Sequence, residues 1–442
     1  MASGRSFAAR GALAVVASAT VAVGVMAPAA GAAAPPCRVT NLTTQQVYDG
    51  TGSNLQTAIG EASSGTHLRI RGVCVGTFSI GKSLTLTGWP TAAFPSPTLD
   101  GNDAGTVLTV NGGSVVVHDL TITGGNADFG GGINNRELGA VHLTGSSSVS
   151  GNRASLDGGG ILNDGTFTMS DVSAVSGNAS HGTGAGIFNA GGDLVLMESS
   201  SVSGNAAEDL GNGGGIYNEG SVALRGSSTV SDNFAGGGGG IFNASGATAR
   251  LHGSSSLSGN EAFFGGGGIS NRGTVGLSDR SAVFENVAIG DYPQGGGIAN
   301  FGRTTLGDSS SVWGNVAGDS GGGENVVGGG IYNEGTLTLR NESSVRGNRT
   351  LRNGSGGGIA NLGNLTMNGA SSVRRNTAID ADGGGIFITD TVATVTMNGQ
   401  SSVRLNTAIN GMGGGIFLRF GTLIGAVAGG NVSDNIPDDI AP

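Results

Sequence analysis

Residues 213–235 read GGG-IYN-EG-SVAL-RG-SSTVSDN-FA, three short runs of alternating residues separated by turn formers. Ile216 and Asn218 share one face, Val222 and Leu224 a second, Ser228 and Val230 a third. Alternation with period two is the strand signature. Glu219-Gly220, Gly226-Ser227 and the stretch after Asn233 supply the turns. Three strands and three turns in about 28 residues make one rung of a right-handed parallel β-helix.

The unit recurs along most of the chain. Its isoleucine falls at Ile133, Ile161, Ile187, Ile216, Ile241, Ile269, Ile298, Ile331, Ile359, Ile386 and Ile416, in steps of 25 to 33 residues. A period of this size marks a solenoid whose rungs bury their apolar faces against one another. Rungs stacked roughly 4.8 Å apart would place Ile216 between Ile187 and Ile241 in an aliphatic ladder. Asparagines form two further rows. One runs from Asn135 through Asn163, Asn189 and Asn218 to Asn361, then breaks at Ile388 and Leu418. The other runs from Asn152 through Asn178, Asn205 and Asn233 to Asn435. A primary amide both donates and accepts, so stacked copies can hydrogen-bond along the axis, and these rows read as structural.

The remaining chain divides around that coil. Residues 1–32 read as a signal peptide, with Arg5 and Arg10 ahead of an apolar stretch and Ala30-Gly31-Ala32 as the cleavage site. Residues 33–65 form an N-terminal cap, where Ser53-Asn54-Leu55-Gln56 has a capping-box pattern and Leu55, Ala58, Ile59 and Ala62 follow at helical spacing. A short helix over 53–62 should lid the open coil. Irregular first rungs occupy 66–125, regular repeats 126–436, and a tail 437–442.

Composition narrows the function. Glycine supplies 89 of 442 residues and Lys82 is the only lysine. Without 1–32, 19 basic residues face 31 acidic ones, a net charge of −12. That balance argues against nucleic acid as a partner. The mature chain has no apolar stretch long enough to span a membrane. Cys37 and Cys74 are an even pair in a chain that reads as exported, so a disulfide is expected, worth roughly 4 kcal/mol on the chain-entropy model.

The paired G-G-G-I-x-N and V-S-G-N-x-A blocks resemble the repeats of polymorphic outer membrane proteins. The coil as a whole resembles the pectate-lyase-like superfamily, and leader, cap and repeats together resemble secreted proteins of that class from actinobacteria. The likeness covers about residues 37–440. It implies a β-helix, and a superfamily that includes lyases, hydrolases, epimerases, adhesins and passive spacers. The polymorphic proteins end in a membrane barrel; no stretch of residues 1–442 reads as one, so their export route is not expected to carry over.

Chemistry could sit in three places. The turn after the third-strand asparagine varies most, carrying Glu208-Asp209, Phe263-Phe264, Asp291-Tyr292, Asp319 with Glu324, and Asp380 with Asp382. Stacked, these would make a ridge of acids and aromatics on one edge. The outward position after each isoleucine holds Phe188, Tyr217, Phe242, Tyr332, Phe387 and Phe417, rings able to stack on sugar faces or on one another. In the turn before the third strand, Asp171 and Glu198 fall in adjacent rungs, as do Asp279 and Asp308. One rung suits the roughly 5 Å between carboxylates of a retaining glycosidase. The same row also holds Gly145, Gly226 and Asn341, which is turn chemistry. Five histidines in separate rungs give no zinc spacing, and no cofactor is implied beyond calcium held weakly near Asp380 and Asp382. The expectation is a secreted or cell-surface protein that binds glycans or envelope components, with a polysaccharide lyase or glycoside hydrolase as the alternative.

Overall fold

Strands Ile216–Asn218, Ser221–Leu224 and Thr229–Ser231 lie where the alternation places them. Ile216, Val222, Leu224 and Val230 point inward and are buried. The computed structural model describes residues 36–442 except 93, 291–292, 320–325 and 352. The expected leader, Asp291-Tyr292 and Glu324 lie outside the described residues.

Within the coil, strands pair in parallel with their copies one rung on, so Ile187, Ile216 and Ile241 stack as expected. The result is an all-β, right-handed parallel β-helix. Three long sheets of 16, 14 and 14 strands line the coil. They are called here the broad face (Ser221–Leu224 and its copies), the serine–valine face (Thr229–Ser231) and the isoleucine face (Ile216–Asn218). A further 11-stranded stack, the short face, runs from Asn126–Phe129 to Thr407–Ile409. It arises in the segment read from sequence as a variable turn. Each such segment has a near copy above and below, so its backbone groups pair across rungs; the Phe234 amide donates to Asn205 O at 2.9 Å.

The glycine triplet follows from crowding. Gly213 has φ of +67°, and a Cβ there would sit 2.5 Å from the Ile216 carbonyl oxygen. A Cβ on Gly215 would sit 2.8 Å from Val230 Cγ1 and 2.9 Å from Asn233 Nδ2. The triplet thus lets the turn fold over the asparagine row.

Both asparagine rows are hydrogen-bonded ladders in the interior. Asn189 Nδ2 donates to Asn218 Oδ1 at 2.8 Å, and Asn218 Nδ2 to Asn243 Oδ1 at 2.8 Å. In the second row, Asn260 Oδ1 accepts from both Asn233 Nδ2 at 2.9 Å and Asn233 N at 3.1 Å. Its own Nδ2 donates to Asn286 Oδ1 at 2.9 Å and Val230 O at 3.0 Å. The second row closes at Asn435, where Asp439 Oδ1 accepts from the Asn435 backbone and amide in place of a next asparagine. The first row begins at Asn135, whose Oδ1 faces the rung of Val110 and is buried without a partner.

The N-terminal cap contains the expected helix, Ser53–Glu61, with Leu55, Ala58 and Ile59 buried. The capping box does not form. Gly52 takes the N-cap position without a side-chain bond, and Ser53 is already helical. Gln56 instead clasps the next turn: its Oε1 accepts from Ser79 N at 2.8 Å and its Nε2 donates to Ser79 O at 3.2 Å. Gly52 is held where a Cβ would strike the Val75 carbonyl oxygen at 1.7 Å, which no serine could tolerate. A hairpin of Cys37–Asn41 and Val47–Gly50 joins the cap, pairing antiparallel with Thr66–Arg71 to cover the first sheet edge. The Cys37–Cys74 disulfide fastens that hairpin to strand Val73–Val75. At the far end, Ile440–Ala441 adds the last strand of the isoleucine face. No helix among the described residues is long and apolar enough to cross a membrane.

Candidate functional site

Four acids were singled out by spacing, and each sits in a turn with left-handed backbone: φ is 57° at Asp171 and Glu198, 56° at Asp279 and 52° at Asp308. Their carboxylates hold the turn of the rung before. Asp171 Oδ2 accepts from Gly145 N at 2.7 Å, and Glu198 Oε2 from Asp171 N at 2.7 Å. Asp279 Oδ2 accepts from Gly253 N at 2.8 Å, and Asp308 Oδ2 from Asp279 N at 3.1 Å. Asn341, one rung on, donates its amide to Asp308. Gly, Asp, Glu and Asn alternate here because all serve a left-handed turn, the last three with a side chain that caps it.

Four acids of the ridge, Glu208, Asp209, Asp380 and Asp382, are likewise engaged. Glu208 pairs with Arg153, and Asp209 Oδ2 lies 3.1 Å from His181 Nδ1. Asp382 Oδ1 accepts from Met412 N at 2.8 Å, and Asp380 Oδ1 from the Asn410 amide at 2.7 Å. Among the described residues, no three His, Cys, Asp or Glu side chains gather as a metal site.

The aromatic row stacks along the isoleucine face. Phe188 and Tyr217 lie 5.2 Å apart between centroids, Tyr217 and Phe242 5.0 Å, and Phe387 and Phe417 5.6 Å. Phe188 and Tyr217 are half-buried; Phe242, Tyr332, Phe387 and Phe417 are buried, so little ring face reaches solvent. Burial, then the hydrogen bond to Glu334 and that carboxylate's charge, push the Tyr332 hydroxyl well above its ordinary pKa.

Between Phe242 and Phe387 the row is interrupted at Ser270, Ala299 and Ala360, the first two in succession. Ser270 and Ala299 stand between Phe242 and Tyr332 in the same register. Where their rings would be, a cleft of about 250 Å³ opens. Phe242, Phe264 and Phe301 wall it, and Asn212, Arg272 and Gln294 bring polar groups to it. The Arg272 guanidinium lies 5.5 Å from the Phe242 centroid and 6.0 Å from that of Phe301, held between two rings.

Comparison with protein-family models, curated proteins and solved structures gives no match. The fold therefore stands on the strand pairing itself.

Sequence reasoning identified the aromatic row but not its gap, which it could have found by noting that Ser270 and Ala299 stand where other rungs carry rings. It also passed over the outward row of the serine–valine face. That row reads Ser231, Ser258, Phe284, Trp313, Arg346, Arg374, Arg404, Ser433, each in register with the next. The recurring text S-S-V-R at 343–346, 371–374 and 401–404 was its visible signal.

Proposed function

We propose that the chain is an exported, surface-associated β-helix protein that binds a glycan of the cell envelope in the cleft over Ser270 and Ala299. The observation that carries this reading is the cleft's chemistry. Phe242, Phe264 and Phe301 line it with apolar ring surface for sugar C–H groups, the exposed Phe264 offering most of it, while an asparagine, a glutamine and an arginine offer hydrogen bonds to hydroxyls. Export is supported by the Cys37–Cys74 disulfide, a bond that persists in oxidising compartments, and by the signal-like residues 1–32. The likeness of the repeats to polymorphic outer membrane proteins, and of the coil to pectate-lyase-like proteins of actinobacteria, agrees with an envelope setting.

Binding is favoured over turnover because Asp171, Glu198, Asp279 and Asp308 each spend a carboxylate oxygen on a turn amide. The test is affinity electrophoresis of residues 33–442 through neutral and acidic polysaccharides, alongside an assay for new reducing ends and unsaturated uronates. We expect retardation by a neutral polysaccharide without product, and loss of that retardation in Ala299→Tyr, which restores a ring to the row. Product formation, or retardation by the neutral polysaccharide unchanged in that variant, would overturn the reading.

A further inference from the structure

The outward row of the serine–valine face changes character part-way along the coil. Serine occupies it at Ser150, Ser176, Ser203, Ser231 and Ser258. Then come two aromatic rungs, where Phe284 and Trp313 stack face to face with centroids 4.5 Å apart and planes 2° from parallel. Three arginine rungs follow. The Arg346 guanidinium lies 5.1 Å from the Trp313 centroid, and Arg346, Arg374 and Arg404 are direct neighbours in register. Arg375 adds a fourth positive charge beside Arg374.

Stacking like charges one rung apart, roughly 4.8 Å, destabilises a sheet. Among the described residues, no carboxylate lies within ion-pair distance of these four arginines. Arg374 Nε is moreover buried without a hydrogen-bond partner. The crowding is felt locally: burial, then the charges of Arg374 and Arg375, hold Arg346 below its ordinary pKa. The chain has 21 basic residues and a net charge of −10, so a strip of unneutralised arginines runs against its overall composition.

We infer that this strip binds a linear anionic glycan, its acid groups on Arg346, Arg374 and Arg404 and a sugar face on the Phe284–Trp313 stack. Guanidinium groups pair well with carboxylate, sulfate and phosphate, and a regular row of them suits a polymer with regularly spaced charge. Single-stranded nucleic acid also stacks on aromatics beside arginines. A glycan is favoured because a disulfide suits an oxidising, exported setting, and in this choice of polymer the inference rests on the function proposed above.

The test uses residues 33–442 carrying Trp89→Phe, which leaves Trp313 as the only tryptophan of the two in the chain. Its emission is followed during titration with dextran sulfate, alginate, unmodified dextran and an oligothymidylate, at about 50 and about 300 mM NaCl. Dextran sulfate or alginate should shift the emission at low salt and release at high salt, and whichever binds more tightly identifies sulfate-like or carboxylate chemistry. Changing Arg346, Arg374 and Arg404 together to serine, the residue this row already uses, should weaken that binding at least about tenfold. Equal binding by the triple variant, no response to either polyanion, or tighter binding of the oligothymidylate would each overturn the inference. Ala299→Tyr is titrated in parallel. Loss of neutral-glycan binding through the cleft leaves the strip's response unchanged, so the two ideas fail separately.

Discussion

Two rows of the serine–valine turn lie two residues apart and behave in opposite ways. The inner row is asparagine from Asn152 to Asn435, rung after rung. The outer row passes from serine to aromatic to arginine and back to serine. The difference lies in what each side chain depends on. An interior amide has no water to fall back on, so its acceptor must be the same group in the next rung. An outward side chain has solvent as its partner, and the backbone ladder beneath does not register its identity. Uniformity in this molecule therefore reports what the interior ladder requires, and a change of residue type on the outside marks where the ladder imposes no such requirement.

The largest effect that would break this contrast is at the inner row. Asn260→Ala strands two donors of Asn233 and removes the side-chain bond to Val230 O. We expect a loss of about 4 kcal/mol in denaturant unfolding. A loss under about 1 kcal/mol would mean that water replaces the ladder. On the isoleucine face, Ser270→Tyr places a ring beside Phe242, and cross-rung stacking should add about 0.5–1 kcal/mol of stability while closing the glycan cleft. Destabilisation there would show that the gap is a packing constraint.

The acid end of the inner row gives a smaller, pH-dependent effect. Burial raises the Asp439 pKa, but hydrogen bonds from the Asn435 side chain and backbone and from Gly429 N outweigh it and leave the group below its ordinary value. A depressed folded pKa means the contribution is complete above the unfolded value of about 3.9 and is lost as pH falls through the folded one. Asp439→Ala should thus lower Tm at pH 6 and converge on the parent in strong acid. The smallest effect is expected outside: changing Arg346, Arg374 and Arg404 to serine should leave Tm unchanged or slightly raised, since like-charge stacking is relieved.

Most of the coil could be read from its text because parallel stacking turns three-dimensional neighbours into a fixed step in sequence. Ile216, Asn218 and Asn233 are legible for that reason. What escaped lies where the step carries no such information. The short face at Phe234–Gly237 looked like a loop, since its sequence varies and its order comes from backbone pairing with the rung above. The hairpin Cys37–Asn41 and Val47–Gly50 occurs once and has no period to reveal it. At the candidate sites, ring positions were legible but exposure was not: whether Phe242 faces water depends on neighbours such as Arg272, which sequence spacing does not bring together.

The closing of the inner row by Asp439 has a consequence for how such a molecule can change size. The carboxylate oxygen accepts from Asn435 as an asparagine oxygen would, so along this row the terminus recognises a rung by its exposed amide. Every interior rung presents that same amide. A whole unit can then be duplicated or excised between two asparagines without the ends sensing it, and the length of the arginine strip becomes a dimension adjustable one copy at a time.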